Sequence, residues 1–167
     1  MIYRDAVPAD AAAIAQLARE TFTETFGHLY SPENLAAFLT SHTTEDWAQV
    51  LADSNVAVRV AEADNALVGY ARLGPPTLPI TPVGPAVELR QFYLLKPWHG
   101  GGHAHKLMGW VIATARARCA AELFLSVFVD NIRAQRFYAR YGFQDIGRYT
   151  FMVGSHEDED RLMRLAL

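Results

Sequence analysis

Apolar positions come in two rhythms along this chain, and the switches between them outline its elements. "MIYRDAV" reads as a short first strand. Ile14, Leu17, Ala18, Phe22 and Phe26 then recur at helical spacing, with Asp10 as the expected N-cap and Gly27 as the expected stop. Ser31 and Pro32 open a second helix, "SPENLAAFL", in the order cap then first-turn proline. A third, short helix in "TTEDWAQVLAD" gathers Trp47, Val50 and Leu51 on one face. "VAVRVAEA" and "ALVGYARL" flank Asp64-Asn65, which predicts a hairpin. "AVELRQFYLL" is a further strand and "HAHKLMGWVIATARARC" a helix with Leu107, Met108, Val111, Ile112 and Ala115 in register. "ELFLSVFV" is apolar almost throughout, as a strand covered on both faces should be. "NIRAQRFYARYGF" is a helix ending near Gly142, and "IGRYTFMVG" with "RLMRLAL" forms a closing hairpin around an acidic, solvated "HEDED" turn.

Strand, glycine loop, helix and strand make one crossover unit among hairpins, so the sheet is mixed and the class is α/β (α+β). At 167 residues the chain has the size of one domain, 1–167. Its net charge of −3 excludes general affinity for a nucleic-acid backbone. One cysteine, Cys119, allows no internal disulfide, the N-terminus lacks a signal-peptide core, and no apolar run reaches membrane-spanning length. A soluble, cytoplasmic protein without nucleic-acid or membrane partners is expected, with a homodimer left open. Residues 74–85, "GPPTLPITPVGP", contain five prolines and predict an ordered surface loop rather than a strand. A tolerated insertion, a substrate lid and a subunit contact are equally open for it.

Candidate chemistry starts at "HGGGHAHKLM", residues 99–108. A loop entering a helix exposes unpaired N–H groups at the positive end of the helix dipole, and glycines let an anion approach the backbone. A plain tight turn would use the same residues. No Gly-Lys-Ser/Thr follows, and the dinucleotide fingerprint is incomplete. His99, His103 and His105 straddle the helix start on different faces without a nearby carboxylate or cysteine, so no metal site is expected.

"VELRQFYLLKPWHGGGHAHKLM" followed by "LSVFVDNIRAQRFYARYGF" resembles the GCN5-related N-acetyltransferases. That family carries Arg/Gln-x-x-Gly-x-Gly/Ala at a helix start, matched here by His99, Gly102 and Ala104, with His99 departing from the usual residue. Its Asn-x-x-Ala-x-x-Phe-Tyr-x-x-x-Gly-Phe is matched by Asn131, Ala134, Phe137, Tyr138, Gly142 and Phe143. The resemblance implies a mostly antiparallel central sheet flanked by helices, with a splayed strand pair that binds acetyl-CoA. It implies pyrophosphate at His99, Gly100, Gly101, Gly102, His103 and Ala104, and the pantetheine arm along Phe92, Tyr93 and Leu94. Asn131 would cap its helix and touch pantetheine. Tyr138 would be the general acid, with packing as the plainer role. Glu88 would be the general base, against an equal expectation of a salt bridge with Arg90.

The first helices shape the acceptor pocket in this family. "RETFTETFGHLYSPENLAAFL" resembles the corresponding part of PaiA-like polyamine acetyltransferases. Glu20, Glu24 and Tyr30 would then meet a cationic amine, although Glu20 and Glu24 at i, i+4 equally fit one solvated helix face. The activity expected is acetyl transfer from acetyl-CoA to a primary amine of a small molecule or polyamine. A peptide N-acetyltransferase and a non-catalytic acetyl-CoA sensor are the alternatives.

Overall fold

A computed structural model describes residues 1–167. The chain runs β1 (Ile2–Asp5), α1 (Ala11–Phe26), α2 (Pro32–Leu39), α3 (Thr44–Ala52), β2 (Ala57–Ala63), β3 (Ala66–Gly74), β4 (Ala86–Leu94), α4 (His103–Ala117), β5 (Glu122–Phe128), α5 (Ile132–Arg140), β6 (Gln144–Val153) and β7 (His156–Ala166). The seven strands form one sheet, β1-β2-β3-β4-β5-β7-β6, antiparallel except between β4 and β5. Asp64 and Asn65 both take positive φ, as the tight β2–β3 hairpin demands.

Two apolar layers hold the sheet. On one face Leu123, Leu125 and Val127 of β5 pack with Met108 and Val111 of α4 and Tyr138 of α5. On the other, Val60 and Tyr70 pack with Ile14, Leu17 and Ala18 of α1 and Trp47 of α3. Each large side chain buried in this way contributes roughly 1.5–3 kcal/mol. No helix is long and apolar enough to cross a membrane.

The parallel pair β4–β5 is the opening in this sheet. It is bonded only where Ala86–Glu88 face Glu122–Phe124. Beyond that point β4 bonds only to β3, and β5 only to β7. A bulge accompanies the split: Leu89 pairs with Leu73 and Gln91 with Arg72, leaving Arg90 as the extra residue. Bulges bend and twist a strand, and this one sits where β4 leaves its neighbour.

Two sequence expectations change. Asp10 stands just before α1, but its carboxylate turns back to Arg4 (2.7 and 2.9 Å) and to the Val7 N–H instead of capping the helix. The two-pronged ion pair offers the carboxylate more than a lone amide does. The "HEDED" run is not a turn. The turn is only Gly154-Ser155, with Gly154 at φ +60°, and β7 already starts at His156. Strand alternation then sends Glu157 and Glu159 outward and buries Asp158 and Asp160.

The proline-rich segment is held at both ends by buried carboxylates. Glu88 accepts from the Thr77 and Leu78 N–H groups (2.5 and 3.1 Å) and from the Thr77 hydroxyl. Glu122 accepts from the Val83 N–H at 2.7 Å.

A cavity at the split sheet as candidate active site

A cavity of about 760 Å³ runs through the gap between β4 and β5 and joins the two faces of the sheet. Its helix-α4 side is lined by His99, Gly100, Gly102, Ala104 and His105, then by Asn131, Ala134 and Tyr138 of α5. Phe92, Tyr93 and Leu94, half-buried, line it from the flank of β4. On the α1 side it ends among Phe22, Phe26, Tyr30, Phe38, Phe128 and Phe151, with Asp158 and Asp160.

The glycine loop has the geometry of an anion cradle. Gly102 is the N-cap of α4 at φ +77°, and Gly100 stands at φ +89°. Both values favour glycine, and a Cβ at either position would meet no protein atom. The first hydrogen bond of the helix is from the Lys106 N–H to Gly102, so the N–H groups just before it have no protein acceptor. Arg133 and Arg140 of α5 line the same end and supply formal positive charge. Neither arginine is among the residues expected from the sequence. Their recurrence on the polar face of α5 beside the glycine motif is the signal that could have found them.

The three histidines of the motif diverge. His99 donates through Nε2 to the Leu94 carbonyl (2.7 Å), leaving Nδ1 to accept from Arg133 (2.6 Å). His99 therefore ties the end of β4 to α5 and steers the Arg133 guanidinium. His103 turns away from the cavity: its Nδ1 meets the Tyr3 hydroxyl at 2.6 Å, and its ring would be struck by a Cβ on Gly101. His105 bonds the Tyr141 hydroxyl.

Asn131 caps α5 by accepting the Ala134 N–H at 3.1 Å. The cap fixes the helix that carries Tyr138. Burial pushes the Tyr138 phenol above its ordinary pKa, with Tyr93 adding to the rise, so it is a protonated donor at neutral pH. Glu88 lines the cavity with its oxygens committed to the Thr77–Leu78 loop. The expected Glu88–Arg90 salt bridge does not form. Arg90 instead donates to the Pro75 carbonyl, because the bulge carries its guanidinium toward the loop.

Glu20 and Glu24 do not reach the cavity. Glu20 is exposed, and Glu24 accepts from the Lys96 N–H at 3.1 Å at the outer edge of α1. The buried face of α1 is taken by Phe22 and its neighbours, so the acidic pair is left on the other side. Tyr30 does reach it, and its hydroxyl donates to Asp158. The carboxylates that face the acceptor end are Asp158 and Asp160, both under 8% exposed. Asp158 is also 3.3 Å from His156 Nε2. Asp160 is hydrogen-bonded by the Ser126 hydroxyl, with Asp158, Tyr30 and Tyr93 also near it, and burial raises its pKa to about 6, with Asp158 adding to the rise.

The fit to an acetyl-coenzyme A molecule is direct: free amides and arginines for phosphates, an unpaired strand edge for an amide-bearing arm, and a phenol at the sheet opening. The sequence profile of the Acetyltransferase (GNAT) family matches residues 11–143. The chain is 37% identical over 155 residues to an uncharacterised N-acetyltransferase of Mycobacterium bovis, covering 92% of this chain and 96% of that one. Among solved structures it is similar to the PaiA N-acetyltransferase of Thermoplasma acidophilum in complex with coenzyme A. The TM-score is 0.79 and the identity 19%, covering 99% and 98% of the two chains. It is also similar to a ribosomal-protein-alanine N-acetyltransferase of Brucella melitensis, with TM-score 0.75, identity 23% and full coverage of both chains.

Proposed function

Because the chain belongs to the acetyltransferase (GNAT) family and is an N-acetyltransferase that uses acetyl-CoA, we propose that its acceptor is the primary amine of a small cation such as a polyamine. The observation that carries this reading is the acceptor end of the cavity, where aromatic rings surround two buried carboxylates. Aromatic faces and carboxylates both attract an ammonium group, and more so away from water. The reaction would be cytoplasmic, where the lone exposed Cys119 stays reduced.

In this reading Gly100, Gly102 and Ala104 hold the cosubstrate's pyrophosphate by backbone N–H groups, with His103 contributing only its amide. Gly101 shapes the turn, and His99 acts by orienting Arg133. The free edge of β4 from Phe92 to Leu94 receives the pantetheine arm as an added strand and directs N–H groups at the thioester oxygen. Tyr138 delivers a proton to the departing sulfur. Asn131 fixes Tyr138 through the helix cap. Tyr30 anchors Asp158, while Glu20 and Glu24 contribute only a distant negative field.

A second reading has its own observation. Arg72 and Arg90 line the cavity, and the Nε atoms of both are buried without partners. A carboxylate beside the reacting amine, as in an amino acid or peptide, would satisfy them. Thiol release from acetyl-CoA, measured over polyamines, amino acids, aminoglycosides and peptides, separates the two readings. Turnover of polyamines above amino acids and peptides supports the first, and the opposite ranking replaces it with the second.

A further inference from the structure

The sheet separates the two proton transfers that amine acetylation requires. Tyr138 lies on the α4–α5 face, packed with Leu125 and Val127. Alternation along β5 sends Ser126 and Phe128 to the opposite face, where Phe128 meets Phe26 of α1 edge-on at 6.0 Å. Asp160 pairs directly with Phe128 and therefore shares that face. Tyr93 belongs to it too, packed with the α1–α3 layer. In the acetyl-transfer reading, Tyr138 would serve the leaving sulfur from one side of the opening and the amine would arrive from the other.

An ammonium entering past the aromatic rings meets two carboxylates of unequal standing. Asp158 is occupied: the Tyr30 hydroxyl donates to it and His156 stands beside it. Asp160 is 6% exposed and makes no ion pair with any side chain of the protein. Glu88, the other cavity carboxylate, is fastened to two backbone amides of the proline-rich loop. We propose that Asp160, on β7, is the general base that takes the proton from the acceptor's ammonium group, and that Asp158 is a positioning residue that holds the cation beside it. The assignment rests on the acetyl-transfer reading given above.

The step balances. The ammonium gives one proton to an Asp160 oxygen. The freed nitrogen lone pair forms the N–C bond to the thioester carbonyl carbon, and the C–S bond breaks. Sulfur takes the proton of Tyr138. The nitrogen's second proton returns to the Tyr138 oxygen through water, and Asp160 gives its proton to solvent. Amine cation and acetyl-CoA become amide, CoA thiol and one free proton. Buried beside Asp158, with Ser126 of β5, Tyr93 of β4, Tyr30 and the register neighbour Tyr149 of β6 around it, Asp160 titrates at about 6. A value just below neutral leaves it ionised when substrate binds, yet basic enough to accept a proton.

The experiment uses the whole chain, acetyl-CoA, the alkylamine that turns over best, and a trifluoroethyl analogue of it whose nitrogen is already neutral at pH about 7. kcat/KM is compared for wild type, D160N, D158N and E88Q across about pH 5 to about pH 9. General bases contribute roughly 10²–10⁴-fold. D160N should lose that much on the alkylamine and less than about a tenth as much on the neutral amine. D158N should raise KM on the alkylamine more than it lowers kcat. Equal losses for D160N on both amines overturn the proposal, as does an acceptor-dependent loss in E88Q but not in D160N. D160S is the second variant should D160N fail to fold. Carboxyl titration by carbon NMR in the wild-type protein adds an independent readout: a value near 6 supports the base, and one below about 4, the ordinary aspartate range, overturns it. Absence of acetyl-CoA turnover on every amine would instead count against the wider reading.

Discussion

Replacing Asp160 with asparagine should make the protein more stable while making it slower. The carboxyl group goes from an ordinary value of 3.8 to about 6 on folding, mainly by burial. The fold therefore disfavours the ionised form. Below pH about 3 the group is largely protonated in both states and almost no penalty exists. The penalty grows as pH rises from 3.8 toward 6 and is complete above that. A rise of this size corresponds to roughly 3 kcal/mol. Asparagine keeps the size and loses the charge, so the variant should recover about 1–3 kcal/mol near pH 7, a Tm rise of roughly 2–10 °C for a chain of this length. Calorimetric scans of both proteins at pH about 7.5 and about 4 check this. The gain should be largest at the higher pH and shrink to a small fraction of that at the lower one. A Tm difference of the same size and sign at both values, or a loss of stability at pH about 7.5, would refute the reasoning. Stability stored against function in this way is a recurrent signature of a working site.

Other substitutions address the rest of the cavity. Gly102→Glu combines strain at φ +77° with a negative charge at the phosphate end, and calorimetric titration should show CoA affinity falling at least about tenfold in a folded protein. Tyr138→Phe should keep CoA affinity and lower kcat about 10²–10⁴-fold; wild-type kcat would leave the phenol only a packing role. Glu88→Gln should loosen the loop rather than stop the chemistry: limited proteolysis should cut residues 75–85 faster, while kcat/KM changes less than about tenfold. Each lost charge-assisted bond to Thr77 or Leu78 corresponds to roughly 1.5–3 kcal/mol of local stability.

The glycine loop, α4, the Asn131 cap and the placement of Tyr138 at the cavity were legible because their signals are local. Spacing and a few obligatory residues declare them. The hairpins at Asp64-Asn65 and around Gly154 belong to the same class, apart from the length of the second. Asp158 and Asp160 were hidden for the opposite reason. Four acids in five residues look like a solvated turn, and only pairing with β5, far back in the chain, turns alternate ones inward. Glu20 and Glu24 misled because a helix's acidic stripe gives no sign of which side the cavity occupies. The commitment of Glu88 to the proline-rich loop depended on a tertiary contact that neither segment advertises.

The most direct test of the acceptor assignment follows the acetyl group itself. Deuterium-labelled acetyl-CoA is mixed with the enzyme and an equimolar set of polyamines, amino acids and short peptides, and the products are identified by mass spectrometry. The account predicts label on a primary amine of a polyamine, in an amount equal to the CoA thiol released. Label confined to amino acids or peptides, with the polyamines unmodified, would contradict it.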